Sequence, residues 1–343
     1  MGYRGIVDNM ENNIKQEDRI SKYLSMLNRG MLFDELSEKY LRSADVYDIL
    51  KGVPIPVSVD ENGDMTTLTV ALNMALVIGA DRNYPYAEQY LEYIKRITQG
   101  HGVEIMLSEG ARAADNDAFE IACMYFRAAL MLEPQSRDAL YLYGRACHGA
   151  YEQEGMDEEY VGNFKAESLE AFELLTVMHQ DFAMGYYFLG YAYLNLGLYT
   201  KAQLTWKDFI KLSTDESEAD IREEISERLN QLEEPVIIEQ ACNQIMSGDF
   251  QGGKQKLEPF KSGRYENWWP MWHYLSVAET GLGNVDEAIA DVKKALSLSP
   301  SNIELMESLI SLYTAVGDED NAEKYRKKIQ IVQSNIEADS ILK

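Results

Sequence analysis

Residues 268–300 read WWPMWHYLSVAETGLGNVDEAIADVKKALSLSP, and the reading of this stretch decides the fold. Trp268, Trp269 and Trp272 fall within five residues, so the segment is either a ring-lined binding box or part of a packed core. Its periodicity favours core. Trp272, Leu275 and Ser276 share one helical face, Gly283 and Asn284 break the pattern, and Ala288, Val292 and Ala295 open a second face that Pro300 closes. Apolar residues three and four apart on two short segments joined by a turn build two amphipathic helices, with small residues where the helices cross.

The same frame recurs upstream. In LSEGARAADNDAFEIACMYFRAALMLEP, Gly110, Ala122, Ala129 and Pro134 take the places of Ser276, Ala288, Ala295 and Pro300. In YYFLGYAYLNLGLYTKAQLTWKDFIKL, Gly190, Gly197, Ala202, Trp206 and Phe209 are in register. With Tyr186, Leu189 and Tyr193 added, this pattern resembles the tetratricopeptide repeat (TPR) family, whose 34-residue unit is a helix pair. The resemblance covers roughly three quarters of the chain. It implies an all-α, right-handed α-solenoid of about seven helix pairs, starting near Leu68, Val103, Arg137, Ala183, Glu234, Trp269 and Ile303.

Several units depart from the family pattern: Glu109 and Gln240 stand where Leu is usual, Ile310 replaces a small residue, and Gly252 and Gly253 sit at a crossing. Spacing locates two inserts. From Gly144 to Gly190 the step is 46, or 34 plus 12, which places YEQEGMDEEYVGNFK (151–165) in the third unit, either between its helices or lengthening both. From Gly190 to Ala241 it is 51, or 34 plus 17, and there Ile221, Ile225, Leu229 and Leu232 recur at helical spacing. The expected organisation is an N-terminal helical segment (1–57), a turn or linker (58–67), units one to four (68–216), an interposed helix (217–233), units five to seven (234–336) and a tail (337–343).

In the N-terminal segment Ile20, Tyr23, Leu24 and Leu27 trace one helix face and Phe33, Leu36 and Tyr40 another, while Ser43 is placed to cap a third helix through Leu50. Pro54 and Pro56 then end the helices, and Asn62-Gly63 favours a tight turn. Asp60, Asn62 and Asp64 lack the glycine position and the closing Glu of a calcium loop.

Composition narrows the function. The chain has 343 residues, 32 basic and 57 acidic, for a net charge of -25, which repels phosphate backbones and anionic lipid. Nucleic acid and membrane are therefore poor partners, and the N-terminal helices carry no basic recognition stripe. The start lacks a secretory h-region, and Ile6 stands where a myristoylation motif wants Ser or Thr. Cys123, Cys147 and Cys242 are odd in number and far apart, which argues against a disulfide framework or a zinc site and suits a reducing cytoplasm. His101, His148, His179 and His273 are scattered, and no HExxH, GxSxG, Walker or Rossmann pattern is present. The expectation is a protein without catalytic residues, metal or cofactor.

Trp272 and Trp206 hold packing positions, whereas Trp268 and Trp269 sit at a junction, one covering a seam and the other exposed. In the repeat frame, the second, fifth, ninth, twelfth and thirteenth places of each unit point into a concave groove. The groove candidates are Tyr141, Arg145 and His148; Met184, Tyr187, Tyr191, Leu194 and Asn195; Ile238, Cys242 and Met246; and His273 and Val277. Ile245 faces the same way.

An aromatic and aliphatic lining with one strong cation suits an apolar peptide or helix that presents a carboxylate to Arg145. The competing reading buries these residues under the inserts and terminal helices. Chaperone-binding members of the family clamp a C-terminal carboxylate with Lys and Asn at the fifth and ninth places. Here those places hold Leu72 and Leu76, Leu107 and Ala111, then Tyr141 and Arg145, so a chaperone tail is not expected.

The sequence therefore points to a non-enzymatic interaction scaffold for a protein or peptide. The alternative is a peptide-sensing regulator acting on a signalling partner such as a response regulator. The layout of an N-terminal helical bundle before seven repeats resembles such bacterial regulators, with no catalytic residue matched. The apolar residues of IQIVQSNIEADSILK (329–343) serve either as a terminal cap or for self-association.

Overall fold

The structure is a computed structural model that describes residues 18–57 and 66–341, with side chains to residue 336. The positions read above at Ile6, at Asp60, Asn62 and Asp64, and at the Asn62-Gly63 turn lie outside the described residues. The chain divides into two compact units. One comprises the described residues through Gly197 together with Thr205–Glu216, and the other Leu198–Leu204 and the residues from Ser217 onward.

The first unit opens with helix α1 (Ser21–Leu27), strand β1 (Leu32–Glu35), helices α2 (Glu38–Ser43) and α3 (Tyr47–Leu50), and strand β2 (Pro54–Val57). Here the helical reading of residues 31–57 is corrected. Phe33 lies in β1, which pairs antiparallel with β2, Leu32 opposite Val57 and Phe33 opposite Pro56. The spacing of Phe33, Leu36 and Tyr40 imitates a helix face because Ser37 interrupts it: its side chain accepts from the Tyr40 N–H and starts α2 afresh. Ser43 caps nothing ahead of it; it ends α2 and its hydroxyl donates back to the Tyr40 carbonyl at 2.8 Å. Pro54 and Pro56 end no helix, because β2 accommodates them. Neither has an N–H to give to the ladder, and the Pro54 carbonyl accepts from the Tyr90 hydroxyl at 2.5 Å.

Helices α4 (Thr67–Ala80) and α5 (Ala87–Ile97) follow, then α6 (Gly102–Asp115) with α7 (Phe119–Leu132), α8 (Arg137–Glu152) with α9 (Glu158–Met178), and α10 (Ala183–Asn195) with α11 (Tyr199–Leu212). Most of the acidic insert is helix: only residues 153–157 connect α8 to α9, and α9 reaches 21 residues where α7 has 14. The insert lengthens helices, the second of the two readings.

The pairs α6/α7, α8/α9 and α10/α11 are each held at one small residue. A Cβ on Gly190 would stand 2.1 Å from Trp206 Nε1, so the absent side chain is what admits the fully buried indole. Gly110 against Phe126 and Gly144 against Phe172 repeat the device. The α4/α5 pair docks differently: α4 packs chiefly on α7, the second helix of the next pair. A Cβ on Gly79 would fall 1.9 Å from the Met124 carbonyl oxygen, so backbone meets backbone there.

The second unit contains α12 (Ala219–Gln231), α13 (Glu233–Met246), α14 (Phe250–Leu257) with a 3-10 turn over Glu258–Lys261, α15 (Trp269–Gly281), α16 (Val285–Leu298), α17 (Ile303–Ala315) and α18 (Glu319–Ile341). Its cores join α13, α14 and α15 around Leu257, Met271 and Leu275, and α16, α17 and α18 around Val292, Leu305 and Leu309. Trp272 is half-buried against both, Trp269 packs on the latter, and Trp268 is exposed.

In the second unit the turns after α13, α15 and α17 are built alike. Gly248, Gly283 and Gly317 adopt positive φ after α13, α15 and α17, and the next N–H closes the turn onto the carbonyl five residues back, Asp249 to Gln244, Asn284 to Glu279 and Asp318 to Tyr313. This is the glycine C-cap of a helix. Asp117 takes the left-handed role after α6, and the Ala118 N–H reaches the Ala113 carbonyl.

Gly79→Ala should destabilise the first unit by about 3 kcal/mol in urea unfolding, because the opposing atoms are backbone and have nowhere to retreat. Gly162→Ala, on an exposed turn of α9 where a Cβ meets nothing, should instead stabilise it by roughly 0.5 kcal/mol.

Candidate functional site

In the first unit the expected lining residues fall on two helix faces. On α8, Tyr141, Arg145 and His148 are spaced four and three apart; on α10, Met184, Tyr187, Tyr191 and Leu194 are spaced three, four and three. Both spacings keep side chains on one face. Arg145 and Asn195 are exposed, and the others are half-buried.

Phe188, which the sequence reading did not single out, joins the two faces. Its ring lies 5.6 Å from Tyr141, 4.9 Å from Tyr187 edge-on, and stacked 5.4 Å from Phe172. The available signal was the unbroken aromatic run Tyr186-Tyr187-Phe188, of which the repeat frame assigned only the first two. Phe182 adds an edge contact to Tyr141 at 5.4 Å. The Arg145 guanidinium stands 5.6 Å from the Tyr141 ring and 5.5 Å from Phe188, and among the described residues it pairs with no carboxylate. A cation held over two rings keeps its N–H groups for an incoming acceptor.

The α10 face is braced from beneath. Tyr191 meets Trp206 edge-on at 4.9 Å, Tyr187 lies 5.7 Å from Phe209, and Trp206 Nε1 donates to the Tyr187 carbonyl at 3.1 Å. His148 sits 4.7 Å from Tyr151; burial, with Arg145 and Lys165 nearby and against the pull of Glu152, holds its pKa below the usual range. Burial thus favours its neutral form, an aromatic surface with one donor and one acceptor.

The remaining candidates are in the second unit. Ile238 is core, Cys242 and Val277 are half-buried against the same cluster, and Met246 is 70% exposed. His273 stacks on Trp269 at 6.4 Å, and burial lowers its pKa against the pull of Glu304. Ile245 is buried as well.

Charged groups inside the units serve packing. In the first, fully buried Arg127 pairs with Asp18, the Tyr143 hydroxyl donates to Glu167 at 2.5 Å, and Arg19 reaches Glu167 and Glu170 at 3.6 and 3.3 Å. In the second, Lys254 binds Glu279 at 2.6 Å, Asn284 donates to the same carboxylate at 2.8 Å, and Lys261 approaches Asp291 at 3.8 Å. Among the described residues no group of three or more His, Cys, Asp or Glu is placed to hold a metal ion, and no helix is long and apolar enough to cross a membrane.

Two helix pairs, α10 with α11 and α15 with α16, also carry a family signature: residues 185–215 and 270–302 match the model described as tetratricopeptide repeat. Those two helix pairs are tetratricopeptide repeats. The chain also has likenesses among solved structures. It is 13% identical to the P58(IPK) TPR domain, covering 88% of each chain with a TM-score of 0.41. It is 16% identical to the yeast Sti1 TPR2AB domain, solved with pHSP90, covering 70% of this chain and 97% of that one with a TM-score of 0.31. It is 17% identical to MamA, covering 68% and 93% with a TM-score of 0.28. None of these likenesses identifies a partner, and no curated protein matches the chain by sequence.

Buried Asp291 on α16 supplies a pH signature. Burial pushes its carboxyl up to about 6; Glu258 of the 3-10 turn and Glu279 of α15 add to this, while Lys261 of the turn and Lys254 of α14 oppose it. A folded pKa above the unfolded one means the native state holds a proton that the unfolded chain has lost, so stability falls as pH rises from about 4 through about 6. The second unit should therefore lose about 2 kcal/mol across that window. Asp291→Asn should remove this share of the pH slope when urea midpoints are compared at pH 5 and pH 7.5.

Proposed function

We propose that this TPR protein is a non-enzymatic interaction scaffold, and that its first unit binds a peptide or helix of a partner protein along the shared faces of α8 and α10. One observation carries the reading: Arg145 is exposed, lies over the Tyr141 and Phe188 rings, and pairs with no carboxylate among the described residues. Surface arginines on a chain with 57 acidic residues readily find a carboxylate, so an unpaired one framed by rings is a site for a foreign acceptor. Tyr187, Tyr191, Met184 and Leu194 supply the adjoining apolar contact, and Asn195 ends the strip. Trp206 and Phe209 hold the aromatic part of it in place before any partner arrives, which lowers the ordering cost of binding.

The partner we propose is a protein segment with a carboxylate flanked by apolar side chains. Nucleic acid, lipid and a chaperone tail do not suit the lining. We also propose that the helix pairs are grouped as 68–216 and 234–336, with the segment 217–233 interposed between them, and that the setting is a reducing one that suits three free thiols.

The test is affinity capture from native extract with the parent protein, Arg145→Glu and Tyr141→Ala in parallel, each first shown to unfold at the parent's urea midpoint. A protein held by the parent and recovered at least about tenfold less on Arg145→Glu is the expected result. Equal recovery on all three would remove α8 and α10 as the binding face.

A further inference from the structure

The core of the first unit brings together two sulfur atoms that the proposed binding face does not use. Cys123 on α7 and Cys147 on α8 are both fully buried, and their Sγ atoms stand 3.7 Å apart on neighbouring helices. They are free thiols, 24 residues apart in sequence. A disulfide needs Sγ atoms about 2.05 Å apart, so closing the gap takes a further approach of roughly 1.7 Å. Both thiols belong to one packed cluster that also holds Ala122, Ala146 and Ala150, and a change of χ1 at either cysteine is the motion that would bring the sulfurs together. Cys242, in the other unit, has no partner thiol.

We propose that Cys123 and Cys147 form an oxidation-sensitive pair that closes to a disulfide when the protein meets a peroxide, stapling α7 to α8. One sulfur, as the thiolate, attacks a peroxide oxygen; the O–O bond breaks, and hydrogen peroxide leaves a sulfenic acid and one water. The second thiol then attacks that sulfur, the S–S bond forms, and the hydroxyl departs with the thiol proton as a second water. Two thiols are oxidised and one peroxide is reduced to two waters, so no other reagent is needed. Burial pushes the Cys147 thiol well above its ordinary range, so the thiolate forms mainly when the core opens locally, and the reaction is slow in the folded protein. The closed bond ties consecutive helix pairs together and constrains the unfolded chain.

The test uses the full chain with Cys242→Ser, which excludes cross-linking between copies through that residue. It is exposed to hydrogen peroxide until exposed methionines carry sulfoxide, then denatured, alkylated and mapped as peptides. A peptide pair joined through 123 and 147, the loss of two hydrogens from the intact mass and a higher urea midpoint reversed by reductant are expected. Adding Cys147→Ser should abolish the joined pair. Full alkylation of both thiols at that dose, or sulfinic acid at either without a joined pair, would overturn the proposal.

Discussion

Helix pairs in this protein depend on how closely two helices approach at one residue. Gly190 has no side chain, Trp206 fills the space one would have taken, and the indole is buried completely as a result. The contact gains many dispersion interactions at a crossing where a larger residue would hold the helices apart. Its effect reaches the surface. The indole also donates to the Tyr187 carbonyl and supports the Tyr191 ring edge-on, so the packing of the pair fixes the aromatic face that α10 presents.

Much of this was legible in the amino-acid order, and what was not has a common cause. The glycine and aromatic positions of α6 to α11 recur, with one insert, because each pair repeats one local packing problem, and a 3.6-residue period is a local signal. The β1–β2 ladder is not local. Its strands meet across an intervening stretch that holds α2 and α3, and Phe33, Leu36 and Tyr40 happen to share a helical spacing. The docking of α4 on α7 escaped for the same reason, since Gly79 looks like any small crossing residue until Met124 is placed against it. Cys123 and Cys147 read as unrelated thiols because helix neighbours are not visible in linear spacing. Of the residues that register put forward, Arg145 and Tyr141 stand beside each other, Phe188 lies one place outside the register and touches both, and Ile238 is core.

The acidity of the chain is arranged unevenly. Most carboxylates are exposed, yet a few are drawn inward to answer particular partners: Glu279 takes Lys254 and Asn284, and Glu167 takes Tyr143 and Arg19. Removing a charge from water costs several kcal/mol unless its hydrogen bonds are replaced. Glu279 has its replacements and Asp291 lacks one, its Oδ2 being buried with no hydrogen-bond partner. The difference explains why burial raises the Asp291 carboxyl while Glu279 stays below its ordinary value despite it.

Arg127 and Asp18 are separated by 109 residues, whereas the glycine turns and helix crossings of α6 to α11 close within a few dozen. Chain entropy makes a long loop costlier to close before the intervening structure has formed, which favours the local pairs over the distant ion pair early in folding. Asp18 therefore reports on completion: the N-terminal segment reaches its place only on a surface that three finished helix pairs have already made. During synthesis that order inverts the usual advantage of being made early. Asp18, made before α7, has no ion-pair partner until Arg127 follows.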